Sequence, residues 1–137
     1  MPARARDLIE SALGGTAYLT RALELLAIAQ RQDSDECCAV WTEHGGVVTA
    51  VALVGLVAGS TGAGRVHLLA GNDPHLVARA CDVLRAMGAR FAMAEWPDEA
   101  PYGAAIRRLR EEGFEEEARI PDFYRNGVAL LFLRRDL

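Results

Sequence analysis

The chain has 137 residues, of which 51% are hydrophobic and 25% charged, as in one soluble globular domain. Its 15 basic and 19 acidic residues give a formal net charge of −4. The arginines are spread over both halves of the chain among acidic residues, which is typical of solvated helix faces. This distribution argues against a nucleic-acid partner.

The cysteines and the hydrophobic runs limit the cellular location. Cys37 and Cys38 are adjacent, and Cys81 leaves an odd count with no second pair at zinc-ligand spacing, so we expect neither a disulfide framework nor a metal site. No secretory leader develops at the amino terminus, and the longest apolar run, residues 50–58, is less than half of a membrane span. These features predict a cytoplasmic protein with no membrane association.

Helical patterns come first along the chain. Apolar residues recur at helical spacing before Gly14 and Gly15, and again from Leu19 to Ile28, which predicts two helices. The stretch "CCAVWTEHGGVVTAVALVGLVAG" then predicts two strands around a turn at residues 44–46. The second of these strands is apolar on both faces, as in the middle of a covered sheet.

The glycine-rich stretch "AGSTGAGR", residues 58–65, resembles a phosphate-binding loop. Such a loop works when a helix begins directly after it and its N–H groups converge on the anion. Here "RVHLLAG" follows, which is too short for a helix and rich in Val and Leu. We therefore interpret the glycines as the tip of a second hairpin.

The second half of the chain alternates between helical and extended patterns. Asp73 and Pro74 predict the start of a helix that ends at Gly88. A strand, "ARFAMAEW", and a helix, "YGAAIRRLREEG", follow, and two strands around residues 125–127 close the chain. The predicted order of elements is ααβββαβαββ.

The stretch from Gly88 to Leu137 resembles the carboxy-terminal half of GNAT-type N-acetyltransferases. In that pattern a strand ending in Glu leads through a loop to a helix, a Gly-Phe pair, and an Ile-x-Asp-Phe-Tyr-x-x-Gly hairpin. The matching residues are Glu95, Tyr102, Ala105, Gly113, Phe114, Ile120, Asp122, Phe123, Tyr124 and Gly127. The order of the preceding elements agrees with the family.

The resemblance implies a single α+β domain over residues 1–137, an α/β/α sandwich with a mixed, mostly antiparallel sheet and helices on both faces. It implies that the family's fourth and fifth strands splay apart to admit acetyl-CoA, whose pantetheine arm pairs with the strand that corresponds to residues 65–71. The cofactor-binding candidates are Leu68, Leu69, Ala70, Gly71, Asn72 and His75. The catalytic candidates are Tyr124, Glu95 and Tyr102.

The sequence departs from the family where the cofactor's diphosphate binds. Only "GNDPHL" stands where the family has a phosphate loop of about ten residues. Asp73 would also stand near the diphosphate, and two unit charges about 5 Å apart repel by about 3 kcal/mol at an effective dielectric constant near 20. A helix N-terminus returns only about 0.3–1 kcal/mol. We expect CoA phosphates to bind poorly in the usual mode.

The catalytic acid and base are open on sequence grounds. Many family members carry a Tyr in the last helix that can protonate the CoA thiolate, but Leu109 stands at that position. Tyr102 and Tyr124 are the nearest replacements, and each is alternatively a packing residue. Glu95 could orient or deprotonate an amine, or could be a solvated carboxylate.

Two histidines are further candidates. His67 lies in the strand that would flank acetyl-CoA and could act as a base, or could be a structural residue. His75 lies near a helix start and could donate to an anion, or could be a surface residue.

Two functions remain open at this point. The chain could be an acetyl-CoA-dependent N-acetyltransferase with an atypical cofactor site, acting on a small-molecule amine or a protein amino group. It could instead be an inactive domain that uses the same fold to bind a ligand or a protein. Domains of this family often pair, so a homodimer is one expectation, although nothing in the sequence fixes the oligomeric state.

Overall fold

The computed structural model describes residues 4–137, in which helices and strands follow the predicted order. The helices are α1 (Ala5–Leu13), α2 (Leu19–Arg31), α3 (Leu76–Ala86) and α4 (Ala100–Glu111). The strands are β1 (Cys38–His44), β2 (Val47–Leu56), β3 (Ala63–Gly71), β4 (Phe91–Pro97), β5 (Glu115–Arg125) and β6 (Val128–Asp136).

The six strands form one mixed sheet in the order β1-β2-β3-β4-β6-β5. Every neighbouring pair is antiparallel except β3 and β4, which are parallel and are connected through α3. This confirms the predicted α+β class and the mostly antiparallel sheet.

Helices cover both faces of the sheet. Residues 50–54 of β2 are fully buried, although successive side chains of a strand point to opposite faces. The helices α1 and α2 pack on β1, β2 and β3, whereas α3 packs on β1, β2 and β4. The middle of the sheet is therefore enclosed, as the two apolar faces of β2 predicted.

Residues 57–62 form the turn of the β2–β3 hairpin that the glycine-rich stretch predicted, but Gly64 lies in β3 opposite Leu56 rather than at the tip. Gly59 and Gly62 have positive φ values of 78° and 106°, which other residues rarely adopt. The carbonyl of Gly62 accepts a hydrogen bond from the Arg90 amide at 2.7 Å. The glycines thus turn the chain and fix it to the start of β4.

The start of α3 differs from the prediction. The helix begins at Leu76, and Pro74 and His75 form a turn before it. Asp73 spans this turn, because its carboxylate accepts a hydrogen bond from the His75 amide at 2.8 Å. Capping by Asp73 therefore acts on the turn that leads into the helix.

The parallel strands β3 and β4 separate soon after they begin. Their pairing covers only Ala63–Phe91, Gly64–Ala92 and Arg65–Met93. On its other edge β3 has a bulge, because Val66 and Leu68 face consecutive residues of β2 and leave His67 as the extra residue. The bulge and the end of pairing coincide, and a gap opens between the two strands from this point.

Candidate active site

A cavity of about 610 Å³ lies at the gap between β3 and β4. Its volume is in the range of small-molecule sites. The second helix and the tip of the β5–β6 hairpin complete its walls. The lining residues are Ala17, Tyr18, Arg21, Ala22, Leu25, Arg65, Val66, His67, Leu68, Glu95, Trp96, Pro97, Tyr102, Tyr124 and Arg125.

The three catalytic candidates from the sequence, Glu95, Tyr102 and Tyr124, all line this one cavity. They come from β4, α4 and β5, so the fold brings together side chains that are up to 29 residues apart. Burial raises the pKa of Tyr124, and the nearby Tyr18 and Glu95 raise it further. The Tyr124 phenol is therefore protonated at neutral pH and close to the Glu95 carboxylate.

Tyr102 is a buried phenol in the lining of the cavity. Its ring packs edge-on against Tyr18, with ring centres 5.4 Å apart, and lies 5.7 Å from Trp96. Burial raises its pKa to about 12, so it donates rather than accepts a proton near neutral pH. Leu109 is fully buried in the core, consistent with a packing role at the position where many family members have a Tyr.

His67, the extra residue of the bulge, has a defined tautomer. Its Nε2 lies 2.8 Å from the carbonyl oxygen of Glu36, which only accepts hydrogen bonds, so Nε2 carries the hydrogen and Nδ1 the lone pair. Burial lowers the pKa of His67, and the charges of Arg65 and Arg21 lower it further. The hydrogen bond to the Glu36 carbonyl raises this pKa but does not offset the decrease. A neutral imidazole with a free Nδ1 is able to accept a proton.

Arg65 faces Glu95 across the gap at 3.4 Å, and each side chain is about a third exposed. The Arg65 Nε is buried and has no hydrogen-bond partner among the described residues. The sequence did not single out this arginine. The feature that could have identified Arg65 is its place as a charged residue at the start of the apolar stretch "RVHLLAG".

Trp96 is a second residue that the sequence did not single out. Its indole N–H crosses from β4 and donates to the Val66 carbonyl of β3 at 3.1 Å, and the side chain is buried. This bond spans the gap just beyond the last paired residues. It therefore takes one of the backbone acceptors that the separation of the strands exposes.

An ion pair fixes the rim of the cavity. Arg125 at the end of β5 pairs with Glu99 at the start of α4. The Glu99 carboxylate also accepts a hydrogen bond from the Tyr18 hydroxyl at 2.7 Å. The rim thus ties together the segment before α2, the start of α4 and the last hairpin.

The predicted cofactor residues separate into two groups. Leu68 lines the cavity, and Leu69 and Ala70 continue β3 beyond its last partner on the β4 side. Gly71 and Asn72 lie at the far end of β3, where Arg108 of α4 donates to the Gly71 carbonyl at 2.9 Å and also to the Asn72 side-chain oxygen. Free backbone groups next to the cavity fit the amide groups of a pantetheine arm.

The start of α3, at the far end of the gap, does not fit a diphosphate. The Asp73 side chain is 11% exposed, and its carboxylate already accepts hydrogen bonds from the His75 amide and the Thr42 hydroxyl. Arg79 lies 3.8 Å from it. The His75 amide is therefore not free, and a carboxylate in the turn just before α3 repels a diphosphate there.

Replacing Asp73 with Ala should lower the free energy of unfolding by about 1–3 kcal/mol at neutral pH, because the hydroxyl of Thr42 and the amide of His75 lose their acceptor. These hydrogen bonds lower the pKa of Asp73 below 3.8. The stabilisation is complete above 3.8 and is lost as pH falls through the lower folded-state pKa.

Urea unfolding at a series of pH values measures this difference. The difference in unfolding free energy between wild type and Asp73→Ala should become smaller as the pH is lowered. An equal difference at every pH would contradict the stabilising role of the Asp73 carboxylate. Asp82→Asn is the matched control, because that carboxylate is 71% exposed on α3, the helix that follows Asp73.

In residues 4–137, no helix is long and apolar enough to cross a membrane. No group of three His, Cys, Asp or Glu side chains within that range lies close enough to hold a metal ion.

Known proteins resemble the chain in fold rather than in sequence: no family model and no curated protein matches it. A protein assigned to the GNAT acetyltransferase family from Desulfovibrio desulfuricans aligns with a TM-score of 0.78 at 19% identity, over 97% of this chain and 92% of that one. The yncA protein of Salmonella typhimurium, solved with its cofactor acetyl-CoA, aligns with a TM-score of 0.73 at 19% identity, over 98% of this chain and 87% of that one. The aminoglycoside 6′-N-acetyltransferase of Enterococcus faecium aligns with a TM-score of 0.73 at 10% identity, over 97% of this chain and 88% of that one. Identities this low establish the fold alone.

Proposed function

We propose that this chain, which has the fold of the GNAT-type N-acetyltransferases, transfers an acetyl group from acetyl-CoA to an amine as a single cytoplasmic domain. The observation that carries the proposal is the convergence of Glu95, Tyr102 and Tyr124 on one cavity at the gap between β3 and β4. Amine acylation by a thioester needs a proton acceptor for the amine and a proton donor for the thiolate, which a carboxylate and a protonated phenol can supply.

Acetyl-CoA supplies a thioester carbonyl carbon that an amine can attack. The amine nitrogen forms a bond to that carbon, the C–S bond breaks with its electron pair on sulfur, and nitrogen loses one proton while sulfur gains one. Glu95 orients the amine and accepts its proton, with the free Nδ1 of His67 as a second acceptor in the same cavity. Tyr124 gives its phenolic proton to sulfur, and Tyr102 is the alternative donor.

The pantetheine arm would pair with the free backbone of β3 at residues 68–70. The Val66 carbonyl is not needed for this, so the Trp96 indole keeps its hydrogen bond. The diphosphate would bind to Arg108, because this guanidinium donates to neutral oxygens of Gly71 and Asn72 and forms no ion pair within residues 4–137. A guanidinium without a carboxylate partner can bind a phosphate without first breaking a salt bridge.

The acceptor class is a small-molecule amine or a protein amino group. An aminoglycoside acetyltransferase is among the proteins of similar fold, which supports a small-molecule amine. The second function that the sequence left open is a domain of the same fold that binds a ligand or a protein without catalysis.

Calorimetric titration with acetyl-CoA separates the two functions, with desulfo-pantetheine as a phosphate-free control. We expect micromolar binding of acetyl-CoA, and Arg108→Gln should weaken it about tenfold because one charge-assisted contact is lost. The neighbouring Arg107→Gln is the control and should leave it unchanged. Neither variant should alter desulfo-pantetheine binding, and no acetyl-CoA binding up to millimolar concentration would favour the non-catalytic domain.

A further inference from the structure

The cavity contains a guanidinium whose hydrogen-bonding capacity is largely unused. Arg65 makes one long contact, 3.4 Å to Glu95, and its Nε is buried without a partner among the described residues. A guanidinium offers five N–H donors in a planar fork that matches a carboxylate. A buried donor without a partner calls for an explanation, and a ligand oxygen provides one.

The other arginines of the cavity are already engaged. Arg21 is 68% exposed and pairs with Glu24 at 3.2 Å, and Arg125 pairs with Glu99. Arg65 is therefore the cation of the lining with the most capacity for an anionic ligand group.

Glu95 stands beside Arg65 with the opposite charge. The two side chains form a loose and partly exposed pair, which contributes little to stability. An ammonium and a carboxylate on the same carbon atom present the complementary pair of charges at a similar separation. Such a ligand would meet Glu95 with its nitrogen and Arg65 with its carboxylate.

Part of the cavity wall is aromatic. The Tyr18 ring packs edge-on against two other rings, with its centre 5.4 Å from that of Tyr102 and 5.7 Å from that of Tyr124. Trp96 packs on the Tyr102 ring and extends this group. Rings in this arrangement provide a large apolar surface with defined edges. An apolar or aromatic side chain fits against it.

We infer that the cavity recognises a free α-amino acid with a large apolar or aromatic side chain, with Arg65 binding its carboxylate and Glu95 its amino group. The further statement that this amino acid is the acetyl acceptor rests on the proposed function. Arg65 is then the residue that determines specificity for amino acids over simple amines.

The experiment compares three ligands that differ by one group. L-phenylalanine carries both charges, phenethylamine lacks the carboxylate, and 3-phenylpropanoate lacks the amine. Calorimetric titration should show phenylalanine binding at least about tenfold more tightly than either analogue, because each analogue leaves one charge of the Arg65–Glu95 pair without its partner.

Arg65→Gln should lower the affinity for phenylalanine by about tenfold, to that for phenethylamine, and leave phenethylamine binding unchanged. Arg65→Lys keeps the positive charge but loses the planar fork of the guanidinium, so its affinity for phenylalanine should be intermediate. This variant provides a second test in case Arg65→Gln does not fold. Arg85→Gln is the control, because Arg85 pairs with Asp82 on the outer face of α3.

The inference is overturned if phenethylamine binds as tightly as phenylalanine, if Arg65→Gln leaves phenylalanine binding unchanged, or if none of the three ligands binds up to millimolar concentration. Acetylation of phenethylamine but not of phenylalanine would overturn the inference and leave the proposed function intact. Phenylalanine binding that depends on Arg65, with no acetyl transfer to any amine, would support the recognition and overturn the proposed function.

Discussion

Replacing Glu95 with Gln should lower kcat/KM for acetyl transfer by about 10²–10⁴-fold, because the amide keeps the shape of the side chain but cannot accept the amine's proton. The fold should be little affected. The Arg65–Glu95 pair is about a third exposed on each side, and such pairs contribute at most about 1 kcal/mol.

Asp82→Asn is the control for this variant, since it removes an exposed carboxylate outside the cavity. Steady-state assays on both variants, with thermal melts, separate chemistry from stability. A Glu95→Gln enzyme within about threefold of wild type would contradict the catalytic role of Glu95.

Gly55→Ala should destabilise the protein by about 3 kcal/mol, which lowers the melting temperature by on the order of 10 °C. A Cβ at this buried position would stand 2.0 Å from the Glu36 carbonyl oxygen and 2.2 Å from its carbon. Both are backbone atoms, so the strand or the segment before β1 must move. Because the same carbonyl accepts the hydrogen of His67 Nε2, the substitution should also disturb the cavity.

Gly103→Ala is the matched control for this prediction. No atom lies within 4 Å of a Cβ at that position on α4, and its φ is not positive. Alanine should stabilise this helix by up to about 1 kcal/mol. Equal melting temperatures for Gly55→Ala and Gly103→Ala would contradict the packing described for Glu36.

The sequence predicted the architecture well because its signals are local. Hydrophobic periodicity and the Gly and Pro positions defined each helix and strand in the correct order, and the resemblance over residues 88–137 led to the GNAT fold. The strand after "AGSTGAGR" identified the glycines as a turn. The start of α3 was displaced because a capping carboxylate can act on a turn as well as on the helix itself.

The site was predictable only in part, because its key contacts join distant segments. The resemblance identified Glu95, Tyr102 and Tyr124, whereas the bond from Trp96 to Val66 spans 30 residues and no local pattern indicates it. The sequence also indicated repulsion between Asp73 and a diphosphate. In the structure this carboxylate turns inward to Thr42 and accepts a hydrogen bond from the His75 amide in the turn before α3.

The most direct measurement is mass spectrometry of an amine mixture incubated with acetyl-CoA and the purified protein. The mixture contains phenylalanine, phenethylamine and an aminoglycoside. We expect a product 42 Da heavier, the mass of an added acetyl group less one hydrogen, that forms with wild-type protein and Asp82→Asn and is strongly reduced with Glu95→Gln. Acetylation at the same rate with all three proteins, or with none of them, would contradict the claim that the cavity between β3 and β4 is an acetyl-transfer site.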